Sequence, residues 1–344
     1  MSVTTAPIER ANMGWLRGQT FDLFFIAGIT ALALGAGGTA VAWPFLFPAL
    51  VFADLWFLGY HHVVATYTRL CFDRESFREH AFLILGLPVL VGLGVLALVG
   101  IVGFWTLASV YLYWQWYHYT RQSWGVGQVY RRKGGGLPEE NPTLAKLTFW
   151  AIPVWGILNR SWQDPGMFLG LQLRVIPVPE IAVQLAGLAA AGLLAWWVVT
   201  RIALWREGRL PVAHTLYMVS HFAVFYAGYV LIKDISVGWL VANMWHNAQY
   251  IAFVWLFNNN RFKNGIEPKA RFLSSLSQTS NAWKYLAVCF GISTTIYLAL
   301  AGTIHTLPYL VAVYQIINFH HYIVDSKIWK VRRPKLQKTL GLTA

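Results

Sequence analysis

The chain has 344 residues, 57% hydrophobic and only 12% charged, with a mean hydropathy of +0.48. Soluble domains carry about 25% charged residues, so a water-soluble globule is excluded. A net charge of +13 would suit nucleic acid, but the basic residues stand at the ends of apolar runs instead of forming one patch, which points to membrane topology and not to a nucleic-acid partner.

Residues 1–18 are polar and lack the short apolar core of a secretory signal, so none is expected. Ten apolar runs follow: 20–38, 43–70, 80–103, 105–130, 143–158, 181–204, 212–232, 237–257, 283–303 and 307–329. Runs of about 20 residues match the hydrocarbon thickness of a bilayer. Backbone polar groups in lipid must be satisfied within their own segment, which predicts helices. The expectation is an all-α polytopic bundle, one integral membrane domain over 1–344, with a cytoplasmic segment 1–19 and a basic tail 330–344 that anchors the topology at anionic lipid.

With the N-terminus inside, the loops after even-numbered spans carry Arg74, Arg78, Arg131, Arg132, Lys133, Lys146, Arg206, Arg209, Arg261, Lys263, Lys269 and Arg271. The tail adds Lys330, Arg332, Arg333, Lys335 and Lys338, whereas the opposite loops hold only Arg160, Arg174 and Lys233. This is the positive-inside pattern of a multi-pass protein of the cytoplasmic membrane with both termini inside. Segment 132–142, rich in Gly and Pro, reads as a turn, and loops 159–180 and 258–282 are long enough for some structure.

Seven histidines fall within the apolar runs: His61, His62, His118, His221, His246, His320 and His321. An ionisable group in a membrane is costly and reads as functional. At ~1.5 Å rise per residue, all seven lie roughly 10–20 Å from the basic ends of their spans, in the inner half of the membrane. Asp325 follows His321 by four residues and shares its helix face; Asp54 precedes His61 by seven, nearly on one face. Amides flank His118 (Gln115, Gln122) and His246 (Asn243, Gln249). Histidines backed by amides and carboxylates are what a metal site requires, and imidazole donors without thiolates suit iron, copper or zinc, not an iron–sulfur cluster. The candidate ligands are therefore the seven histidines and Asp325, with Asp54 and Arg121 as candidate acid–base or anion-contacting groups. A lone membrane histidine can instead join two helices by hydrogen bonds, and that reading weighs most on His221. His80, His214 and His305 stand at span ends and read as interfacial.

A layer of histidines near the cytosolic ends of membrane helices, here His61-His62, His320-His321, His118, His221 and His246, resembles the integral-membrane non-haem di-iron oxidoreductases, the desaturases and hydroxylases of lipids. The HxxxH and HxxHH boxes typical of that family do not occur around these residues. The resemblance implies iron, with two ions possible, oxidising a C–H bond of a hydrophobic lipid-like substrate with dioxygen. Electrons would come from a cytosolic or quinol donor, because no flavin or NAD fingerprint is present. Three other readings stand beside it: one b-type haem or a quinone-linked carrier, a proton-coupled transporter, and a metal-free lipid transferase using a His base.

Overall fold

The computed structural model describes residues 13–137 and 140–342. Its helices are α1 (Gln19–Ala42), α2 (Pro44–Leu70), a short α3 (Arg74–Glu79), α4 (Phe82–Val102), α5 (Trp105–Lys133) and α6 (Pro142–Gln163). A hairpin of β1 (Met167–Phe168) and β2 (Leu171–Gln172) precedes α7 (Glu180–Arg206) and α8 (Val212–Tyr226), which a π turn, Ala227–Leu231, prolongs. Then come α9 (Ile235–Arg261), a short α10 (Arg271–Leu276), α11 (Thr279–Thr303), α12 (Leu307–Ile328) and a short α13 (Pro334–Thr339).

Among the described residues the fold is all-α apart from that hairpin, and its longer helices fall on the ten apolar stretches. Five of them, α1, α2, α4, α7 and α11, are long and apolar enough to cross a membrane by length and composition. The others are less apolar for a packing reason. α9 is buried along nearly its whole length, among α1, α2, α5 and α8. A helix sheathed by other helices meets no lipid, so it can carry Asn243, His246, Asn247, Gln249 and Asn258, all buried. α12 packs against α2, α4 and α5, and α6 lies between α7 and α8.

Contacts between the ends show that the helices alternate in direction. At one end Arg17 bonds Asn259 and Thr279, Tyr130 donates to Asp22, Arg201 pairs with Glu140, and Arg261 pairs with Asp73. This end gathers the basic loops. At the other end Arg160, fully buried, donates to the carbonyls of Gly228, Ile232 and Lys233, where the π turn leaves α8 unfinished. Gly228 and Gly238 touch there; a Cβ on Gly238 would collide with the Gly228 carbonyl and the Arg160 guanidinium.

The hairpin in loop 159–180 closes this same end. Phe168 is buried against Tyr111 and Trp239, the Leu169 amide donates to Ser236, and the Arg174 and Ile176 amides donate to Ser109 and Tyr113. In the C-terminal tail Leu336 and Leu340 are buried in the core and α13 packs on α9, while residues 332–335 stay exposed. Leu336 in α13 and Leu340 at its C-cap, four residues apart, bury on one side while Lys335 stays at the surface. Of segment 1–19, residues 1–12 lie outside the described part of the chain.

Candidate metal centre

Four helices that run the same way, α2, α5, α9 and α12, bring His62, His118, His246 and His321 to one point. The ring centroids of His62 and His321 are 4.6 Å apart, His118 and His246 4.9 Å, His118 and His321 5.2 Å, and His62 and His246 5.6 Å. Asp325 completes the group, with its Oδ2 3.5 Å from His321 Nε2 and 3.9 Å from His118 Nε2. The ligand atoms of His62, His246 and His321 lie within 4.8 Å of one another, as do those of His118, His321 and Asp325. His321 belongs to both sets, so the two sets adjoin and together bring five potential donors to one place.

These residues fit a metal. The Nε2 atoms of all four histidines and Oδ2 of Asp325 are buried without a hydrogen-bond partner, as is His62 Nδ1. (The Leu58 and Gly59 carbonyls face His62 from the preceding turn, outside hydrogen-bond geometry.) An unsatisfied buried polar atom costs ~1–3 kcal/mol, hence roughly 5–15 kcal/mol over the five donors, as much as a domain's whole stability. Donors at ~2.0–2.2 Å from one ion stand about 3–4 Å apart, and the two Asp325 distances already lie in that range.

A hydrogen-bond chain fixes the donors. His321 Nδ1 lies 3.0 Å from Thr66 Oγ1, Thr66 Oγ1 lies 2.8 Å from the Tyr250 hydroxyl, and Tyr250 donates to Asp325 Oδ1 at 2.7 Å. Trp329 Nε1 also donates to the Tyr250 oxygen, at 2.9 Å. One assignment of protons satisfies every member: His321 Nδ1–H to Thr66, Thr66 O–H to Tyr250, Tyr250 O–H to Asp325. It leaves the His321 Nε2 lone pair and Asp325 Oδ2 free toward the centre. Ring stacking holds two more ligands, His118 on Tyr322 at 4.2 Å and His246 on Tyr119 at 4.0 Å.

Why His62 and not His61 faces the centre follows from a π turn, Leu55–Gly59, inside α2. The seven-residue offset from Asp54 in a regular helix ends at His61. A π turn absorbs one extra residue, so the two-turn offset ends at His62 instead. Asp54 accepts from Asn243 Nδ2, Asn243 accepts from Tyr119, and Tyr119 stacks on His246, which puts Asp54 two residues from the site, not in it.

The other three histidines are directed away from this centre, each toward a backbone carbonyl at a helix irregularity. His61 Nδ1 lies 3.3 Å from the Phe57 carbonyl inside the α2 π turn. His320 Nε2 donates to the Leu83 carbonyl at 2.7 Å. That carbonyl is orphaned: the Leu87 amide reaches back to Phe82 across a π turn, and the next residue, Pro88, has no N–H. His221 Nε2 donates to the Phe149 carbonyl at 3.0 Å, the group left without a helical partner by Pro153, while its Nδ1 meets Ser123 at 3.0 Å and its ring stacks on Phe149. Of the histidines read as interfacial, His305 is exposed and His80 half-buried, but His214 is buried.

A cavity of 510 Å³ leads from His118 and Asp325 to the end of the bundle that carries the basic loops. Arg121, Gln122, Trp329, Lys330 and Arg332 line it, and Leu336 and Leu340 of the returning tail form one wall. Thr66, Tyr250 and Trp329 were not among the expected site residues. The signal was available, since Thr66 follows His62, and Tyr250 follows His246, by the same four residues that separate His321 from Asp325. No protein-family model matches the chain, and no curated protein or solved structure matches it.

Proposed function

We propose that this chain is a multi-pass membrane metalloenzyme whose ten long helices all span the bilayer. His62, His118, His246, His321 and Asp325 would hold one transition-metal ion, most simply iron. The observation that carries the reading is the convergence of four imidazoles from four helices, each with an unpartnered Nε2, on one carboxylate. A mostly nitrogen donor set with one oxygen suits iron, copper or zinc, and the lipid oxidoreductases that the histidine layer resembles make iron the choice. Five donors around one shared histidine favour one ion over two. The bound ion would supply one-electron redox chemistry.

The protein's own residues orient and gate. Thr66 and Tyr250 hold His321 and Asp325 in the protonation states that leave their inner atoms as acceptors. The hairpin over α5 and α9 shuts the far end of the bundle, so substrate and electrons from a quinol or cytosolic donor would enter by the cavity at the basic end, the cytoplasmic side by the positive-inside rule. A substrate taken up there, with aromatic walls beside the site, is a hydrophobic or amphiphilic molecule.

The buried imidazoles and Asp325 gather at one depth instead of tracing a path between the two faces, which counts against a transporter. Four imidazoles in mutual ring contact leave no slot for a macrocycle between two of them, which counts against a b-type haem. Metal analysis and an optical spectrum of purified protein test the reading: about one iron per chain and no Soret band is the expected result. A Soret band, or a folded protein purified without metal that takes up none from added iron, copper or zinc, would overturn it.

A further inference from the structure

We infer that the cavity at the basic end is a subsite for an anionic head group, a carboxylate or phosphate, and that Arg121 is its deep contact. This rests on the proposed function only for what happens beyond the head group; the binding itself needs no metal.

Three cations line the cavity, Arg121, Lys330 and Arg332, against one acid, Asp325, whose Oδ1 is taken by Tyr250 and whose Oδ2 faces the histidines. Among the described residues none of the three cations forms an ion pair, although Arg131, Arg201, Arg209, Arg261 and Lys335 elsewhere in the chain all do. Arg121 makes one long hydrogen bond, from Nη2 to the Ser326 carbonyl at 3.4 Å. It stands one turn past His118 on α5, roughly 4.5 Å nearer the basic end along the axis. A half-buried guanidinium that donates only one long bond within the protein can turn its fork toward an anion and bind it bidentately. Gln122 adds a polar side chain beside it, while Trp124, Phe253 and Leu336 give the rest of the wall an apolar surface. Cations from the cavity floor at Arg121 to its mouth at Lys330 and Arg332, with apolar walls between, describe an amphiphile whose charged end is drawn in past Lys330 and Arg332 to meet Arg121.

The test is direct binding to the full-length protein in zwitterionic nanodiscs, with metal content measured on the same samples. The probes are a fluorescent long-chain fatty acid, the long-chain alcohol of equal length, a lysophosphatidate, and inorganic phosphate and acetate as competitors. The acid and the lysophosphatidate should bind at least tenfold more tightly than the alcohol. Arg121→Gln should reduce both to the level of the alcohol while bound metal stays unchanged. Lys330→Gln with Arg332→Gln, outside the membrane helices, should weaken both several-fold should Arg121→Gln fail to fold. Displacement by millimolar phosphate or acetate, with no preference for the amphiphiles over those ions, would support an anion site used by a soluble substrate. Equal binding of alcohol and acid, or full affinity in folded cation variants, would overturn the inference. Loss of metal with intact anion binding in His246→Ala would leave it standing, so its failure and that of the metal site are read separately.

Discussion

Replacing His246 and His221 separately should dissociate metal binding from stability, because the two imidazoles are both buried on adjacent helices yet do different work. His246→Ala removes one of five donors. Protein metal sites gain about 10–16 kcal/mol from their full donor set, so one donor is worth roughly 2–3 kcal/mol, a loss of about 30- to 150-fold in metal affinity. His221→Ala removes no donor. It strands the Phe149 carbonyl and vacates the stack on the Phe149 ring, a destabilisation of several kcal/mol from an unpaired carbonyl and a cavity. The assay is metal per chain after a chelator wash, alongside thermal unfolding in the same detergent. His246→Ala should lose most of its metal. Stripped of metal, it should fall less below stripped wild type than His221→Ala does, since both leave a cavity and lose a ring stack but His246→Ala deletes an unpartnered nitrogen instead of a satisfied one. His221→Ala should melt well below wild type and keep its metal. Full metal in His246→Ala, or metal loss in a folded His221→Ala, would refute the assignment of donors.

Thr66→Val and Tyr250→Phe should each weaken metal affinity about 10- to 100-fold without emptying the site, as loss of an orienting hydrogen bond does; chelator titration measures it, and no change would break the proposed chain. In a Pro153→Ala background, residue 153 regains the N–H that the Phe149 carbonyl lacks, so His221→Ala should cost about 1–3 kcal/mol less there than in wild type, read as the coupling term of a double-mutant cycle. At the basic end, desolvation pushes the Asp73 carboxyl up, but bonds from Ser76 and Arg261 outweigh it and hold the group below its ordinary value. A depressed carboxyl stabilises the fold above its unfolded pKa of about 4, and that stability is lost as pH falls through the folded value. Asp73→Asn should therefore lower the melting temperature at neutral pH and flatten its fall between about pH 5 and pH 3; an unchanged acid profile would exclude the role.

Much of this was legible in the chain. Run lengths and the asymmetry of Arg and Lys gave the helical stretches and put the right loops together at one end. The i, i+4 pairing of His321 with Asp325 named the carboxylate of the site. Composition could not separate His62 from His61, because the separation depends on a π turn that shifts the register by one residue. Nor could it set His320 apart from His321; there the deciding fact is a carbonyl on α4 orphaned by Pro88, more than two hundred residues away in the chain. The residue Pro153 was visible as a helix irregularity, and the residue that answers it, His221, was visible as an isolated imidazole, but only the packing of α6 on α8 joins them. Helix irregularities near a buried histidine are thus a reason to read it as a carbonyl partner before reading it as a ligand.

Charge balance links the centre to the cavity beneath it. With a divalent ion held as proposed, four neutral imidazoles and one carboxylate would leave a net charge of +1 in a medium where unpaired charge is costly. Asp54 is the other buried acid near this centre, and it is separated from it by Asn243 and Tyr119. Below lies Arg121, which forms no ion pair among the described residues, so a loaded centre and the cavity floor would both be positive. The hairpin packs over the opposite end of the bundle, and the cavity opens toward the basic end. A neutral apolar molecule entering there would leave the positive charge uncompensated, whereas an anionic one would neutralise it and be drawn in by it at long range. The same arrangement makes salt a discriminating variable: affinity for a charged amphiphile should fall with ionic strength at the exposed Lys330–Arg332 end and persist at Arg121, whereas affinity for a neutral one should not change.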